Sequence, residues 1–397
     1  MTSKDRHEAR YQRRVYQRRQ KEIERANTYT EWENIYGLTP LIKGYRQTSK
    51  ASKNRNKTQL FMMNLVTNTV EQKQKLDKGT WRSKGFNEFD IMERGKLRHI
   101  QSVDISEKGI QNSLSNNCLI PILRPHLIYD NGASLKGKGT DFALNRFEEH
   151  LRWHYRRYSL EGGIYFFDFS GYFQNIDQEK LIEGVDYYII NNRVIQTFEM
   201  FVKAFKEGGL GLGSQVSQIS AVFYPNKIDH FIKDKLGIHC YGRYMDDGYI
   251  IYHDIEGLKE IIKEFEVLCK ELGITLNKKK CRIIKMHKQF IFLKTRFFIT
   301  KNGKVVRRIN RQMMKKERHR LKSFRKFYDM GLMSYTDVYN NFHSWLLSLT
   351  RGASYHIMEN MIRYFNSLFP ESPYRPIKIK ERKHRVLLHL SKRAVCI

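Results

Sequence analysis

The sequence predicts an α+β protein, with strands and helices alternating in its centre between two basic helical regions. Three observations predict this. Apolar, β-branched and aromatic runs start at 96, 162 and 239; helical periodicity dominates on either side; glycine-rich breaks separate the two kinds of segment.

The opening stretch "DRHEARYQRRVYQRRQKEIERA" is basic and helix-compatible, with mixed charges at three- and four-residue spacings. It reads equally as a solvated helix and as a helix lying along RNA. A polar, basic loop ends "TYTEWENIYGLTPLIKGYRQTSKASKNRNK", and 59–80 is again helical. "KLRHIQSV" (96–103) is a strand, followed by helical "ISEKGIQNSLSNNCLIPIL". A glycine- and lysine-rich loop then enters a helix with Thr140 as its N-cap. "GGIYFFDFSGYF" (162–173) begins as a buried strand, and 208–232 is a glycine-rich loop running into a helix. "HCYGRYMDDGYIIYH" (239–253) is a hairpin turning near Asp246–Asp247–Gly248, because Asp-Gly favours tight reversals. A helix over 256–272 precedes "ITLNKKKCRIIKM". The strand pair "QFIFLKTRFFIT" and "KVVRRIN" turns around Asn302–Gly303. The pattern from 311 to 369 is helical, and the tail 371–397 mixes proline with basic residues.

With 397 residues, 41% of them hydrophobic, the chain can bury a core across two or three subdomains. Its 72 Lys and Arg against 41 Asp and Glu leave a formal charge of +31. Such a surplus fits a polyanionic partner, since neutralising phosphates releases condensed counterions; a merely basic, ribosomal-type protein is the plainer alternative. The basic start lacks the apolar core of a signal peptide, and no apolar run is long enough to span a bilayer. Five dispersed cysteines without a CxxC pair suggest neither disulfides nor a zinc site. The expectation is a reduced, cytoplasmic protein without a membrane partner.

Asp246 and Asp247 sit side by side in an aromatic and β-branched context. Two like charges there repel unless a cation compensates them. Mg²⁺ suits the task, because it takes oxygen ligands and bridges carboxylates to substrate phosphates. Asp168, at the end of "IYFFD", is the natural third carboxylate of a two-metal site. Alone, "DD" is an ordinary solvated turn and Asp168 an ordinary strand end.

The flanking sequences change that balance. "YMDD" (244–247) resembles the YxDD box of reverse transcriptases, and "FDFSGYFQNID" (167–177) resembles the family's first palm box. "GLGLGSQVSQISA" is similar to its glycine-rich second palm box, "LNKKKC" (276–281) to the following lysine box, and "FIFLK" (290–294) to the primer grip. Upstream, "GKLRHI" (95–100) and "LKGKGTDFAL" (135–144) resemble its fingers elements. The resemblance spans about 90–350. It implies a right-hand polymerase: a basic helical extension (1–58), fingers (59–160), a palm of antiparallel sheet plus helices (161–304), a helical thumb (305–369) and a basic tail (370–397).

The resemblance also implies roles. Asp168 and Asp246 hold two Mg²⁺ ions (Mn²⁺ substituting), with Asp247 completing the acidic tip and the Phe169 carbonyl adding a ligand. Lys280 approaches the leaving pyrophosphate, and Lys96 and Arg98 meet the triphosphate, where guanidinium forks match phosphate oxygens. Phe173 falls at the steric gate against a 2′-hydroxyl. Asp177 and Asp229 match no metal-binding position and are assigned to structure. The implied activity is RNA-directed DNA synthesis from dNTPs, giving cDNA and an RNA–DNA hybrid, with a dedicated non-coding RNA. A small accessory protein or a second copy is a further expected partner.

Leu212 stands where many relatives carry Gln, and Ser217 with Gln218 follows. This is similar to bacterial enzymes of the group II intron-like lineage, in diversity-generating retroelements and in antiviral defence. "YMDD" and Trp32-Glu33-Asn34 lean toward diversity generation. Lys294 replaces the usual glycine of the primer grip. A catalytically idle RNA-binding scaffold and template-independent synthesis remain the rivals. Between Arg307 and Lys326 stand ten cations, among them Arg307, Arg308, Arg311, Lys315, Lys316, Arg318 and Lys322, against the single acid Glu317. That imbalance fits a surface tracking a nucleic-acid backbone by shape and phosphates.

Overall fold

The computed structural model describes residues 3–52, 54–93, 96–352 and 355–375. Five helices open the chain: α1 (Ser3–Tyr29), α2 (Trp32–Tyr36), α3 (Leu38–Ser49), α4 (Asn56–Met63) and α5 (Leu65–Asp77). The hairpin β1 (Phe86–Glu93) and β2 (Lys96–Val103) follows, then α6 (Ile105–Leu114) and α7 (Ile120–Leu123), then α8 (Thr140–Tyr158) and β3 (Gly163–Asp168). Next come α9 (Gln178–Asp186), α10 (Asn192–Lys203), α11 (Gln215–Phe223) and α12 (Asn226–His230). The hairpin β4 (Tyr241–Tyr244) and β5 (Asp247–Tyr252) leads to α13 (Ile255–Glu271). The chain continues through β6 (Arg282–Lys285), β7 (Phe290–Phe292), β8 (Thr295–Ile299) and β9 (Val305–Ile309) to α14 (Arg311–Asp329), α15 (Tyr335–Ser348) and α16 (Tyr355–Leu368). The strands form three sheets, ordered β1-β2, β4-β5-β3-β6 and β7-β8-β9. No helix among the described residues is long and apolar enough to cross a membrane.

The chain divides into two compact units. One comprises Met1–Gly139, Tyr165–Ile250 and Glu256–Arg282; the other comprises Thr140–Ile164, Ile251–Ile255 and Ile283–Ile397.

In the first unit, α3 and α6 approach closely because each supplies a glycine. A Cβ on Gly44 would lie 2.5 Å from the Gly109 carbonyl oxygen, and one on Gly109 would lie 1.9 Å from the Tyr45 ring. The Tyr45 hydroxyl donates to the Ser106 carbonyl at 2.9 Å, so its buried polar end is satisfied. Trp32 joins three helices: its indole N–H donates to Asp77 at 2.7 Å, and the Arg193 guanidinium stacks over its ring at 3.9 Å. The part of β3 in this unit, 165–168, is buried, and the Phe167 ring packs on Phe265 at 4.8 Å.

In the second unit, Phe147 of α8 meets Phe292, Phe297 and Phe290 of the three-stranded sheet at 4.9, 5.0 and 5.8 Å. The helices α14, α15 and α16 enclose Leu321, Phe342, Leu346, Met361 and Phe365, with the Phe342 and Phe365 rings stacked at 4.4 Å. Each such buried side chain contributes about 1.5–3 kcal/mol. A capping box between Ser334 and Asp337 fixes where α15 begins.

Four local expectations change. Strand β1 was not expected, because "FNEFDIME" alternates without an apolar face. Helix α8 starts at Thr140 itself. "QFIFLKTRFFIT" is a hairpin of its own, reversing at Leu293 (φ 43°) and Lys294 (φ 66°), which makes the sheet three-stranded. The backbone at Lys294 is left-handed, the conformation that a glycine adopts without strain. The β4–β5 hairpin turns at Met245–Asp246, not at Asp246–Gly248, since Tyr244 pairs with Asp247. Gly248 is a strand residue with another duty: a Cβ there would lie 2.1 Å from the Phe167 ring.

Candidate active site

Asp168 ends the buried strand β3 and is itself 4% exposed. A carboxylate that deep needs partners, and two come from the loop before β6. The Asn277 side-chain amide donates to Asp168 Oδ1 at 3.1 Å, and the Lys280 ammonium pairs with Oδ2. The loop is fastened to the end of β3 by its backbone. Asn277 N–H donates to the Asp168 carbonyl at 2.8 Å, and Ser170 N–H donates to the Thr275 carbonyl at 2.7 Å.

Asp246 and Asp247 come from the neighbouring strand pair. The Phe169 N–H donates to the Asp246 carbonyl at 3.0 Å, which joins the tip of that hairpin to the end of β3. Burial, then the charges of Asp246 and Asp168, push the Asp247 carboxyl up to about 7, and a hydrogen bond with Asp168 adds to the rise. Burial pulls the Lys280 ammonium down, but its bond to Asp168 and the charges of Asp247 and Asp246 outweigh this and raise it. The site thus holds three crowded carboxylates and one firmly protonated lysine.

The tip is strained and braced. Met245 has φ 54°, a left-handed backbone that costs a non-glycine residue about 1 kcal/mol or more. Its carbonyl accepts from Arg243 Nη1 at 3.1 Å. Arg243 is 1% exposed; it donates to both oxygens of the buried Asp229 (2.9 and 2.6 Å) and to the Val222 carbonyl at 2.8 Å. The Tyr241 hydroxyl adds a bond to Asp229 at 2.6 Å. Asp229 is structural, as the sequence indicates, and Asp177 caps α9 by accepting from Lys180 N–H at 3.1 Å. Arg243 and Asn277 were missed. Both lie inside quoted motifs, but their partners are remote in sequence.

Phe173 and Leu212 sit on segments that meet. Leu210 N–H donates to the Phe173 carbonyl at 2.6 Å, and Gln101 N–H of β2 donates to the Leu212 carbonyl at 3.2 Å. Gly209 (φ 62°) allows this approach, since a Cβ there would lie 2.3 Å from the Gln174 carbonyl oxygen. Both side chains are half-buried, whereas Gln218 on α11 is exposed. Lys96 and Arg98 lie opposite Glu93 and Ile91 in the β1–β2 register; their side chains lie outside the described residues.

In the second unit, Arg307 pairs with Glu148 and donates to Asn145 Oδ1 at 2.8 Å, and Arg308 is half-buried. Lys315, Lys316, Arg318 and Lys322 are exposed along α14, with Arg318 stacked over Tyr364 at 5.2 Å. The Arg311 side chain lies outside the described residues.

Among the described residues, no three His, Cys, Asp or Glu side chains form a ready-made metal cage. The donor chemistry nevertheless fits Mg²⁺. Asp168, Asp246 and Asp247 are hard oxygen ligands, and the crowding that lifts Asp247 is what a divalent cation relieves.

Residues 93–297, just over half of the chain, match the sequence model of the family described as Reverse transcriptase (RNA-dependent DNA polymerase). A search of the curated proteins found no match. Among solved structures, the telomerase of Candida albicans in complex with a TWJ fragment of telomeric RNA is similar, at 13% identity and a TM-score of 0.45. That match covers 74% of this chain and 56% of the other. Apo telomerase from Candida tropicalis, truncated from its C-terminal domain, is similar at 14% identity and a TM-score of 0.43, covering 55% and 54%. The chain thus spans about half the length of each.

Proposed function

The chain belongs to the reverse transcriptase (RNA-dependent DNA polymerase) family, and on that premise we propose that it synthesises DNA on an RNA template at the Asp168–Asp246–Asp247 site. The observation that carries the proposal is Asp168, held by Lys280 and Asn277 at the end of β3 and linked through Phe169 to the hairpin bearing the other two acids. A binding scaffold has no use for three crowded carboxylates, one of them lifted to about 7.

Asp168, Asp246, Asp247 and the Phe169 carbonyl would hold two Mg²⁺ ions, with Mn²⁺ substituting. When bound, the ions supply Lewis-acid stabilisation to the attacking hydroxyl and the leaving oxygen. The chain's own groups do the rest. Asn277 orients Asp168, and Arg243 fixes the tip that carries Asp246. Lys280 keeps its proton beside the carboxylates and gives charge, or that proton, to the leaving pyrophosphate. Fingers over 59–160, a palm over 161–304 and a thumb over 305–369 are the division this function calls for.

Purified protein supplied with an RNA of defined sequence, an annealed DNA primer and dNTPs should yield complementary DNA. A product indifferent to the template sequence would favour template-independent synthesis, and no product would favour the scaffold. Phe173→Ala should raise ribonucleotide incorporation relative to deoxyribonucleotide incorporation by roughly 10-fold or more, because the half-buried ring would no longer meet a 2′-hydroxyl. The discrimination comes from one lost steric contact of about 1–3 kcal/mol. Competition between dCTP and CTP on one template measures it, and an unchanged ratio removes Phe173 from the gate.

The exposed cations of α14 would meet the duplex backbone. Neutralising Lys315, Arg318, Lys322 and Lys326 to Gln should make the salt dependence of primer–template binding shallower by roughly 3 in log–log slope. An unchanged slope would refute the assignment. Leu212 in place of an amide, with Ser217 and Gln218 beyond it, supports a bacterial lineage related to group II intron enzymes. The biological programme is diversity generation or phage defence, with a dedicated non-coding RNA as template.

A further inference from the structure

The first helix carries a feature that the polymerase site does not use. Residues 5–24 of α1 are exposed, and the helix meets α2 and α7. It lies outside residues 93–297, so the family match does not account for it. Its 27 residues hold nine Lys and Arg against four Asp and Glu, and the cations are not spread evenly. At 100° per residue, Arg6, Arg10, Arg14, Arg18, Lys21 and Arg25 fall on one side, a stripe roughly 28 Å long that Glu24 shares near its C-terminal end. Tyr11 borders the stripe, and Val15, Tyr16 and Ile23 fall elsewhere; all four are exposed, by 42–64%.

A solvated helix of this kind is usually steadied by opposite charges four residues apart. Here opposite charges enter only toward the end of this edge, as Arg18/Glu22 at four residues and Lys21/Glu24 at three, whereas Arg6/Arg10, Arg10/Arg14, Arg14/Arg18 and Lys21/Arg25 are like-charge pairs four apart. Each costs a few tenths of a kcal/mol. Among the described residues, no ion pair neutralises Arg6, Arg10, Arg14, Arg18 or Lys21. A helix that repels itself along one edge is complementary to a continuous line of negative charge, and phosphates along a nucleic-acid strand provide one.

We propose that the basic edge of α1 is a docking surface for base-paired RNA, gripped through its phosphates and without sequence preference. The choice of RNA among polyanions rests on the polymerase reading. A-form RNA is read by shape and backbone, a task a row of guanidinium groups performs without reaching the bases. The surface would hold a structured part of the partner RNA while another part is copied.

Binding of the full-length protein to a 20-base-pair RNA hairpin, titrated over salt, tests this. The variant Arg6→Gln/Arg10→Gln/Arg14→Gln/Arg18→Gln should make the log–log salt slope shallower by about 3–4. A second variant keeps the net charge and moves two cations off the edge: Arg10→Gln/Arg14→Gln/Gln12→Arg/Tyr16→Arg. It should make the slope shallower by about 2. Arg and Gln are both good helix formers, and circular dichroism verifies that α1 persists. If the relocated variant binds like the wild type, only net charge matters and the docking edge is overturned; an unaffected four-residue variant overturns it outright. Primer extension by the same preparations reports separately on the polymerase reading. Stripe-dependent hairpin binding without any extension would uphold the α1 surface while removing that reading.

Discussion

Replacing Arg243 with methionine is expected to destabilise the protein by about 3–5 kcal/mol, because Asp229 would be left as an uncompensated buried charge. Both side chains are fully inaccessible in the native fold. The guanidinium spends its donors on both Asp229 oxygens and on the carbonyls of Val222 and Met245, so little else could replace it. Removing both charges together, as Arg243→Met/Asp229→Leu, should cost less than Arg243→Met alone. Chemical denaturation of the two variants measures the difference, and a single variant as stable as the wild type would refute the buried clamp. Because Arg243 also holds the Met245 carbonyl, Arg243→Met should relax the left-handed turn that presents Asp246. Residual folded protein would then lose activity beyond the loss in folded fraction.

Asp246→Asn should lower the rate of nucleotide addition by roughly 10³-fold or more while leaving the fold intact. On the proposed reading Asp246 is a metal-binding carboxylate, and removing its charge would forfeit several kcal/mol of transition-state stabilisation, each 1.36 kcal/mol being tenfold in rate. The half-exposed side chain of Asp246 is isosteric with Asn, and its structural contact with Phe169 runs through the backbone carbonyl, which the substitution keeps. Asp168→Asn is a less clean probe. It removes charge and also takes from Lys280 the carboxylate oxygen it pairs with, while an oxygen remains to accept from Asn277.

Much of this was legible in the sequence, for physical reasons that differ by element. The strand ending in Asp168 declared itself because "GIYFFD" is buried on both faces and so reads as a continuous apolar run. The helices over 311–369 announced themselves by period. Asp246 and Asp247 stood out because like charges in a strand context need a reason. The hairpin reversal was misplaced because Asp-Gly is the stronger local turn signal, whereas Gly248 answers to the Phe167 ring, a contact no local pattern contains. Strand β1 has polar residues on both faces, so no period reveals it. Arg243 looked like one more cation in a very basic chain. Its role depends on Asp229 fourteen residues upstream. Asn277 and Lys280 act on Asp168 across 109 and 112 residues. Chemistry that depends on a single motif can be read early; chemistry assembled from separate strands waits for the fold.

Single-turnover addition of one deoxynucleotide to a DNA primer on a defined RNA, by wild-type protein and Asp246→Asn side by side, tests the central claim most directly. The account predicts template-complementary addition by the wild type and a loss of about 10³-fold or more in a variant with the same thermal melt. Equal rates in the two proteins would place the chemistry somewhere other than these carboxylates.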